Sequence, residues 1–404
     1  MTPPSPGDLP RVERDRQGWR VLAILSLLMG FASVSTDLYL PAMPAMGQAL
    51  RVSAGQIEWT VSSYLVGFSV GQLVWGPIGD RYGRRGPIIA GLVLFTIGSA
   101  GCAMATGIGP LIVARLLQAL GASASVVLAR AMVRDLYEGP AAARMMSSLM
   151  TVMAVAPLLG PLAGGQMLAV AGWRAIFWFL VVVGLATLAA MPIFPETLPA
   201  ARRDRRPLAK VYGGYGALIR DRRLLAYAGA GGFFYAGMFA YIAGSPHVFI
   251  VVHGVSPQTY GLLFAAGVAG IMAANALNAR LVQRIGSDRL LVLGSAGAAV
   301  SGLFLAANVG PGWAGLVGVV VPLFLFTGMA GFIVANSIVG ALALSTDKAG
   351  SVSALIGAAQ YGAGIAGSAV LGAFNDGTAR PLAYVIAICG VGAVVCALLA
   401  SKAE

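Results

Sequence analysis

Twelve apolar runs of roughly 20 residues alternate with short polar turns along this chain, and each is long enough to cross a bilayer as a helix. The pattern predicts spans at 20–41, 57–78, 87–107, 110–132, 145–170 and 174–194, then at 224–248, 257–280, 289–308, 312–337, 350–374 and 381–401. With 58% hydrophobic residues and 10% charged ones among 404, little chain remains for anything but connections. That composition excludes a soluble globular domain and points to an all-α integral membrane protein.

The net charge of +12 would suit nucleic acid, but the basic residues follow the membrane instead. If the first span runs outward, all Lys and Arg but Arg51, Arg174, Arg380 and the intramembrane Arg115 fall on the inner side. This asymmetry predicts a multi-pass membrane protein with cytoplasmic amino and carboxyl termini and no nucleic-acid partner. Cys102, Cys389 and Cys396 lie in apolar runs and His247 and His253 near an outer end, so no metal site is expected. Neither set supplies a nucleophile–base pair for an enzyme. The residues read as packing and solvated positions respectively.

The chain divides into a tail at 1–19, expected to be disordered, a six-helix bundle at 20–194, a basic linker at 195–221 and a second six-helix bundle at 222–404. The linker carries Arg202, Arg203, Arg205, Arg206 and Lys210 between prolines. Two positions of a turn after the second span, Arg81 and Gly83, recur 203 residues later as Arg284 and Gly286, close to half the chain length. Two related bundles explain this spacing, and such repeats place a substrate site near the midplane between them.

The first copy of that turn reads Gly76-Pro-Ile-Gly-Asp80-Arg81-Tyr-Gly83-Arg84-Arg85. It resembles the loop between the second and third helices of the major facilitator superfamily of transporters, with every signature position filled. The resemblance implies twelve helices in two pseudo-symmetric six-helix bundles. Asp80 would then meet an arginine or a helix amino terminus of the other bundle and hold the cytoplasmic side shut. Glu196 is a further partner for the arginines.

Two charges fall well inside spans. A carboxylate at membrane depth costs a few kcal/mol, on the order of 3, so Asp37 in Thr36-Asp37-Leu38-Tyr39 should face a cavity and carry function. Arg115, in the fourth span, lies at a similar depth and could reach it directly or through water. Lost hydration opposes the carboxylate's charge while a guanidinium restores it, which is the balance a proton switch needs. Asp37 and Arg115 are therefore the candidates for proton coupling, and the proton gradient, not a cofactor, is the expected energy source.

The fifth span carries Ala156-Pro-Leu-Leu-Gly160-Pro161-Leu-Ala-Gly164-Gly165. It resembles the Gly-x-x-x-Gly-Pro-x-x-Gly-Gly pattern of antiporters in this superfamily, with Ala for the first Gly. Further runs, Asp37-Leu-Tyr-Leu-Pro-Ala-Met-Pro44, Arg134-Asp135-Leu-Tyr137, Trp173-Arg-Ala-Ile-Phe177 and Glu196-Thr-Leu-Pro199, resemble the Bcr/CflA subfamily of drug/proton antiporters. The resemblance implies a monomer exporting antibiotics or other small amphipathic drugs in exchange for protons, with export of an endogenous metabolite such as an amino acid as the alternative. Polar and aromatic residues within spans are the substrate candidates, foremost Tyr39, Tyr64, Gln118, Phe239, Tyr241 and Asn336.

Overall fold

The computed structural model describes residues 11–137, 139–193, 196–203, 221–309, 315–344 and 349–401. Helices and short turns account for the described residues, and no strand occurs among them. Hydrocarbon favours this, because a helix satisfies its backbone groups within one segment. The first half comprises α1 (Arg11–Asp37), a short turn at Leu40–Ala42, α2 (Met43–Leu50), α3 (Ala54–Tyr82), α4 (Arg85–Met104), α5 (Ile108–Leu136), α6 (Gly139–Ala171) and α7 (Trp173–Ala190). The second comprises α8 (Arg222–Pro246), a π turn at His247–Val252, α9 (Pro257–Ile285), α10 (Ser287–Val309), α11 (Val317–Gly328), α12 (Ala330–Ala343), α13 (Ala349–Phe374) and α14 (Arg380–Ser401).

These elements make twelve crossings. The first is broken between α1 and α2, where Pro41 and Pro44 lack the N–H that would continue one helix, and α11 with α12 forms the tenth. Ten crossings are apolar and long enough by composition alone. The other two are α3, 29 residues long, which carries Thr60, Ser62, Ser63 and Gln72 within its run, and α6, 33 residues long, whose apolar part among the described residues is Val155–Ala171. One expectation is corrected at the amino end, since helix begins at Arg11, inside the tail expected to be disordered. Arg11 and Asp15 stand four apart, a spacing that supports helix in water. Residues 1–10 and, in the linker, 204–220 lie outside the described residues.

Within the first bundle α5 is the central strut, with α3 and α4 packed along it. Small residues allow the approach: a Cβ added at Gly98 would strike the Gln118 backbone, and one at Gly121 the backbone of Phe95. The second bundle repeats the device where Gly367 of α13 meets the Ala236 backbone of α8, and Gly390 of α14 that of Ala298 on α10.

The bundles meet along two lines, α3 with α13 and α6 with α9. Seen from the Arg81–Arg85 turn, which marks the basic end, the joining contacts lie toward the opposite, far end. Gly55 packs on Gly372, Ser62 bonds Ser368 at 2.9 Å, Asn375 donates to Glu58 at 2.7 Å, and Gly261 abuts the Pro161 carbonyl. The turn Leu40–Ala42 also touches both α8 and α9.

Candidate functional site

Asp37 is the last residue of α1 and is 6% exposed, so it lies buried inside the protein as its sequence context predicted. Gly160 of α6 presses against it: a Cβ there would lie 3.0 Å from the Asp37 Cβ, and one at Gly164 would strike the Leu38 carbonyl. The glycines of this α6 motif thus act as the surface on which the acid-bearing end of α1 rests. On the other side of α6, Gly165 and Pro161 meet Pro257, Gln258 and Gly261 at the start of α9, and Gln258 Nε2 donates to the Gly165 carbonyl at 3.5 Å. Asp37, the α6 motif and the first turn of α9 form one stack across the bundle interface.

Arg115 of α5 is fully buried and is the largest side chain with no exposed surface among the described residues. Its guanidinium lies between two rings, 4.1 Å from the Tyr39 centroid and 4.4 Å from that of Tyr64. Such cation–π contacts are worth about 2 kcal/mol each when desolvated. Nη1 donates to the Ser35 carbonyl at 3.0 Å and to Gln118 Oε1, while Nε and Nη2 have no hydrogen-bond partner. Gln118 in turn donates to Ser99 at 2.8 Å, Tyr64 shares a hydrogen bond with Ser35, and Tyr39 with Thr60 at 3.1 Å. No direct ion pair joins Arg115 to Asp37, although the positive charge acts on that carboxylate through space.

Of the predicted substrate contacts, Tyr39, Tyr64 and Gln118 are buried with their polar atoms bonded in the surroundings of Arg115, so in this conformation they build the Arg115 cage. Asn336 is likewise buried, donating to Asn278 Oδ1 at 2.7 Å, and Tyr241 stacks on Phe264 with centroids 5.8 Å apart. Phe239 differs: with Tyr235 and Tyr361 it forms a half-buried aromatic cluster in the second bundle, which Phe68 of α3 joins from the first at 5.7 Å from Tyr361.

At the basic end, Gly83 adopts φ 96°, a left-handed conformation that glycine adopts without strain, and so turns α3 into α4. Arg84 is 5% exposed and doubly paired, Nη1 to Asp80 at 2.6 Å and Nε to Asp135 of α5 at 2.8 Å. Thr197 donates to the same Asp135 carboxylate at 3.2 Å. Glu196 does meet the turn, but through backbone: it accepts from the N–H groups of Arg84 at 2.8 Å, Arg85 at 3.2 Å and Leu198 at 3.0 Å. Partial burial opposes its charge, yet these three donors and the Arg203 guanidinium outweigh that and hold its carboxyl below the usual glutamate value. The cross-bundle contact expected of Asp80 is not the one made here. Its partner is Arg84, one helical turn away, because the far end and not the basic end carries the contacts in this conformation. Arg81 is exposed, as is Arg85, which reaches the Pro192 carbonyl at 3.5 Å; Gly76 touches Val127 of α5.

Sequence reasoning passed over a second buried acid. Glu58, on the second turn of α3, is 1% exposed and bonds Asn375, the residue after α13, across the bundle interface. An acid near a helix amino terminus reads as an ordinary dipole partner, and only the position of Asn375 distinguishes it. The signal available was a carboxylate inside the predicted span 57–78.

Comparison with known proteins places these features. The sequence profile of the Major Facilitator Superfamily matches residues 25–368. An uncharacterized MFS-type transporter of Bacillus subtilis, YdgK, is 32% identical over 91% of this chain and 92% of its own length. A bicyclomycin resistance protein homolog of Haemophilus influenzae is 30% identical over 93% of each chain, and multidrug resistance protein D of Escherichia coli is 30% identical over 86% and 87%. Among solved structures, a D-xylose-proton symporter superposes with a TM-score of 0.76 at 16% identity, covering 95% of this chain and 97% of the other. The partially occluded inward-open xylose transporter XylE of E. coli gives 0.73 at 15% with the same coverage.

Proposed function

Because the chain belongs to the major facilitator superfamily, a family of transporters and not of enzymes, we propose that it is a proton-coupled exporter of antibiotics or other small amphipathic compounds. It works by alternating access from the cytoplasm of a bacterial cell, as a monomer in the inner membrane with both termini inside. The basic end is then cytoplasmic, in keeping with the excess of Lys and Arg there, and the far-end contacts make the present conformation closed to the outside.

The observation that carries this reading is the buried Asp37, which rests on the α6 motif that also supports α9 and feels the charge of an incompletely bonded Arg115. When Asp37 is ionised, Arg115 has a nearby anion. When Asp37 is protonated, that attraction is lost, and the end of α1 is free to shift on the glycine surface of α6. Because the same α6 surface supports the start of α9, the shift reaches the closure between the bundles. Protonation from outside would thus favour drug release, and deprotonation to the cytoplasm would restore the drug-binding state. The names of the H. influenzae and E. coli relatives favour drugs as substrates. The half-buried cluster of Phe239, Tyr235 and Tyr361, with the buried Phe68 against it, offers aromatic surface suited to varied, partly apolar ligands.

The test is efflux of a drug panel from a pump-deficient strain, with and without a protonophore. Asp37→Asn should export no better than an empty vector, whereas the parent should export strongly and lose that export on collapse of the gradient. An Asp37→Asn variant that exports against a gradient as the parent does would remove Asp37 from coupling. If no drug is exported while a deletion strain accumulates an amino acid or similar metabolite, the substrate assignment changes and the mechanism stands.

A further inference from the structure

We propose that Glu58 is a second proton-binding site, one that governs closure of the far face and is distinct from the Asp37 site. Glu58 is all but inaccessible, yet its carboxylate is only half satisfied. Oε1 accepts from Asn375 Nδ2 at 2.7 Å, and Oε2 has no hydrogen-bond partner. The pair bridges α3 and α13 beside the Gly55–Gly372 contact, where a Cβ at Gly55 would collide with the Gly372 carbonyl. One residue on, the Trp59 ring lies against Gly372. An acid at this place is squeezed by the same contacts that hold the two bundles together at the far end.

Three features set Glu58 apart from a static polar link. Asn375 needs only an acceptor, which a glutamine would supply equally well, so the acidic function is surplus to the hydrogen bond. No ion pair compensates it among the described residues. A crevice of about 270 Å³ touches Glu58, is walled by both bundles, and reaches the far surface at the exposed Gln48, Arg51 and Val251. The ionisable groups around Glu58 are Arg51 and His247 lining that crevice, with Asp376 on the loop that follows Asn375 and Arg380 at the start of α14. His247 bonds the Gly377 carbonyl and Asp376 is bound by Thr378. None of the four is ion-paired with Glu58.

An ionised carboxylate with one oxygen lacking a donor is expensive in a dry interface, and a neutral carboxyl costs far less. Closing the far face therefore requires the proton, and separating α3 from α13 wets the acid and lets it leave. The sign is fixed: acid outside favours closure, alkali favours opening. The proton enters and leaves through the crevice on one side and does not cross the membrane. In the cycle proposed above, on which only this placement rests, Glu58 allows the face to close again after drug release only when protons are available outside.

The experiment measures the far face directly, without drug. Spin labels at Val170→Cys on α6 and Val252→Cys after α8 report the inter-bundle distance in full-length protein in nanodiscs, with Cys102, Cys389 and Cys396 changed to Ala. The parent should move from a short to a long distance between about pH 5 and pH 9, a range that brackets titration of a buried glutamate. One linked proton changes the population ratio by up to roughly tenfold per pH unit. Glu58→Gln keeps the acceptor for Asn375 and should stay closed across the range, changing less than about twofold, with an unaltered elution profile to certify folding. Asp37→Asn should titrate as the parent does, so failure of the coupling proposal would leave this result intact. The inference is overturned if Glu58→Gln opens with the parent's midpoint, if the parent does not titrate, or if Asp37→Asn alone removes the transition.

Discussion

Two buried arginines of the first bundle, Arg84 and Arg115, have opposite surroundings. Arg84 sits in the turn between α3 and α4 with two carboxylates in contact, Asp80 and Asp135, and its backbone N–H is taken by a third, Glu196. Arg115 lies deeper, touches no carboxylate, and is held by two ring faces, a carbonyl and an amide oxygen, with two of its nitrogens unsatisfied. A saturated guanidinium is a fastening, since none of its partners can change charge without cost. One left short of partners keeps an acid nearby in play, because its attraction remains available to whichever state that acid adopts. Under the proposed mechanism, the working charge in this fold is the one left without a neutralising partner.

The largest expected effect falls on Arg115. Arg115→Lys keeps the charge but loses the planar group that stacks on Tyr39 and Tyr64 and the fork that spans Ser35 and Gln118. Proton-driven efflux should drop at least about tenfold, as lost aromatic contact of about 2 kcal/mol would predict, while membrane-inserted protein stays near the parental amount. Parental efflux from Arg115→Lys would collapse the contrast, leaving Arg115 as one more structural cation.

Arg84 should respond in the other currency. Arg84→Ala leaves the Asp135 carboxylate, 15% exposed, without its cation, and breaking a pair buried on one side costs about 3 kcal/mol. Thermal unfolding in detergent should show a clear loss of melting temperature, while efflux per folded molecule changes much less than in Arg115→Lys. If instead Arg84→Ala unfolds at the parental temperature and stops transport, the turn is working machinery and the comparison must be redrawn.

The distinction was only partly legible in the sequence. Charges inside apolar runs announce themselves, so Asp37, Arg115 and the Asp80–Arg85 turn could be named from residues alone. The helix faces could not. Tyr39, Tyr64 and Gln118 look like cavity residues because they are polar or aromatic within spans, yet which way each points depends on packing angles set by glycines such as Gly98 and Gly121, whose neighbours are on other helices. Glu58 was hidden for a related reason, its meaning residing in Asn375, 317 positions away. The pairing of Asp80 with its own loop was hidden differently, since it depends on which conformation the two bundles adopt.

The smallest effect sharpens the saturated side of the comparison. Glu196→Gln keeps one oxygen, enough for the bonds from Arg84 and Leu198, and loses the Arg85 N–H bond together with the charge. For an exposed side chain the loss should be about 0.5–1 kcal/mol after discounting for solvent. The sign with pH follows from its lowered folded-state value: the parental contribution is full above the ordinary glutamate value of 4.5 and is lost as pH falls through the lower one. Melting temperatures measured down that acid limb should therefore converge, the parent descending toward Glu196→Gln while the two stay separated at neutral pH. A separation that persisted unchanged into acid would mean that the shape of the Glu196 carboxyl and not its charge caps α4.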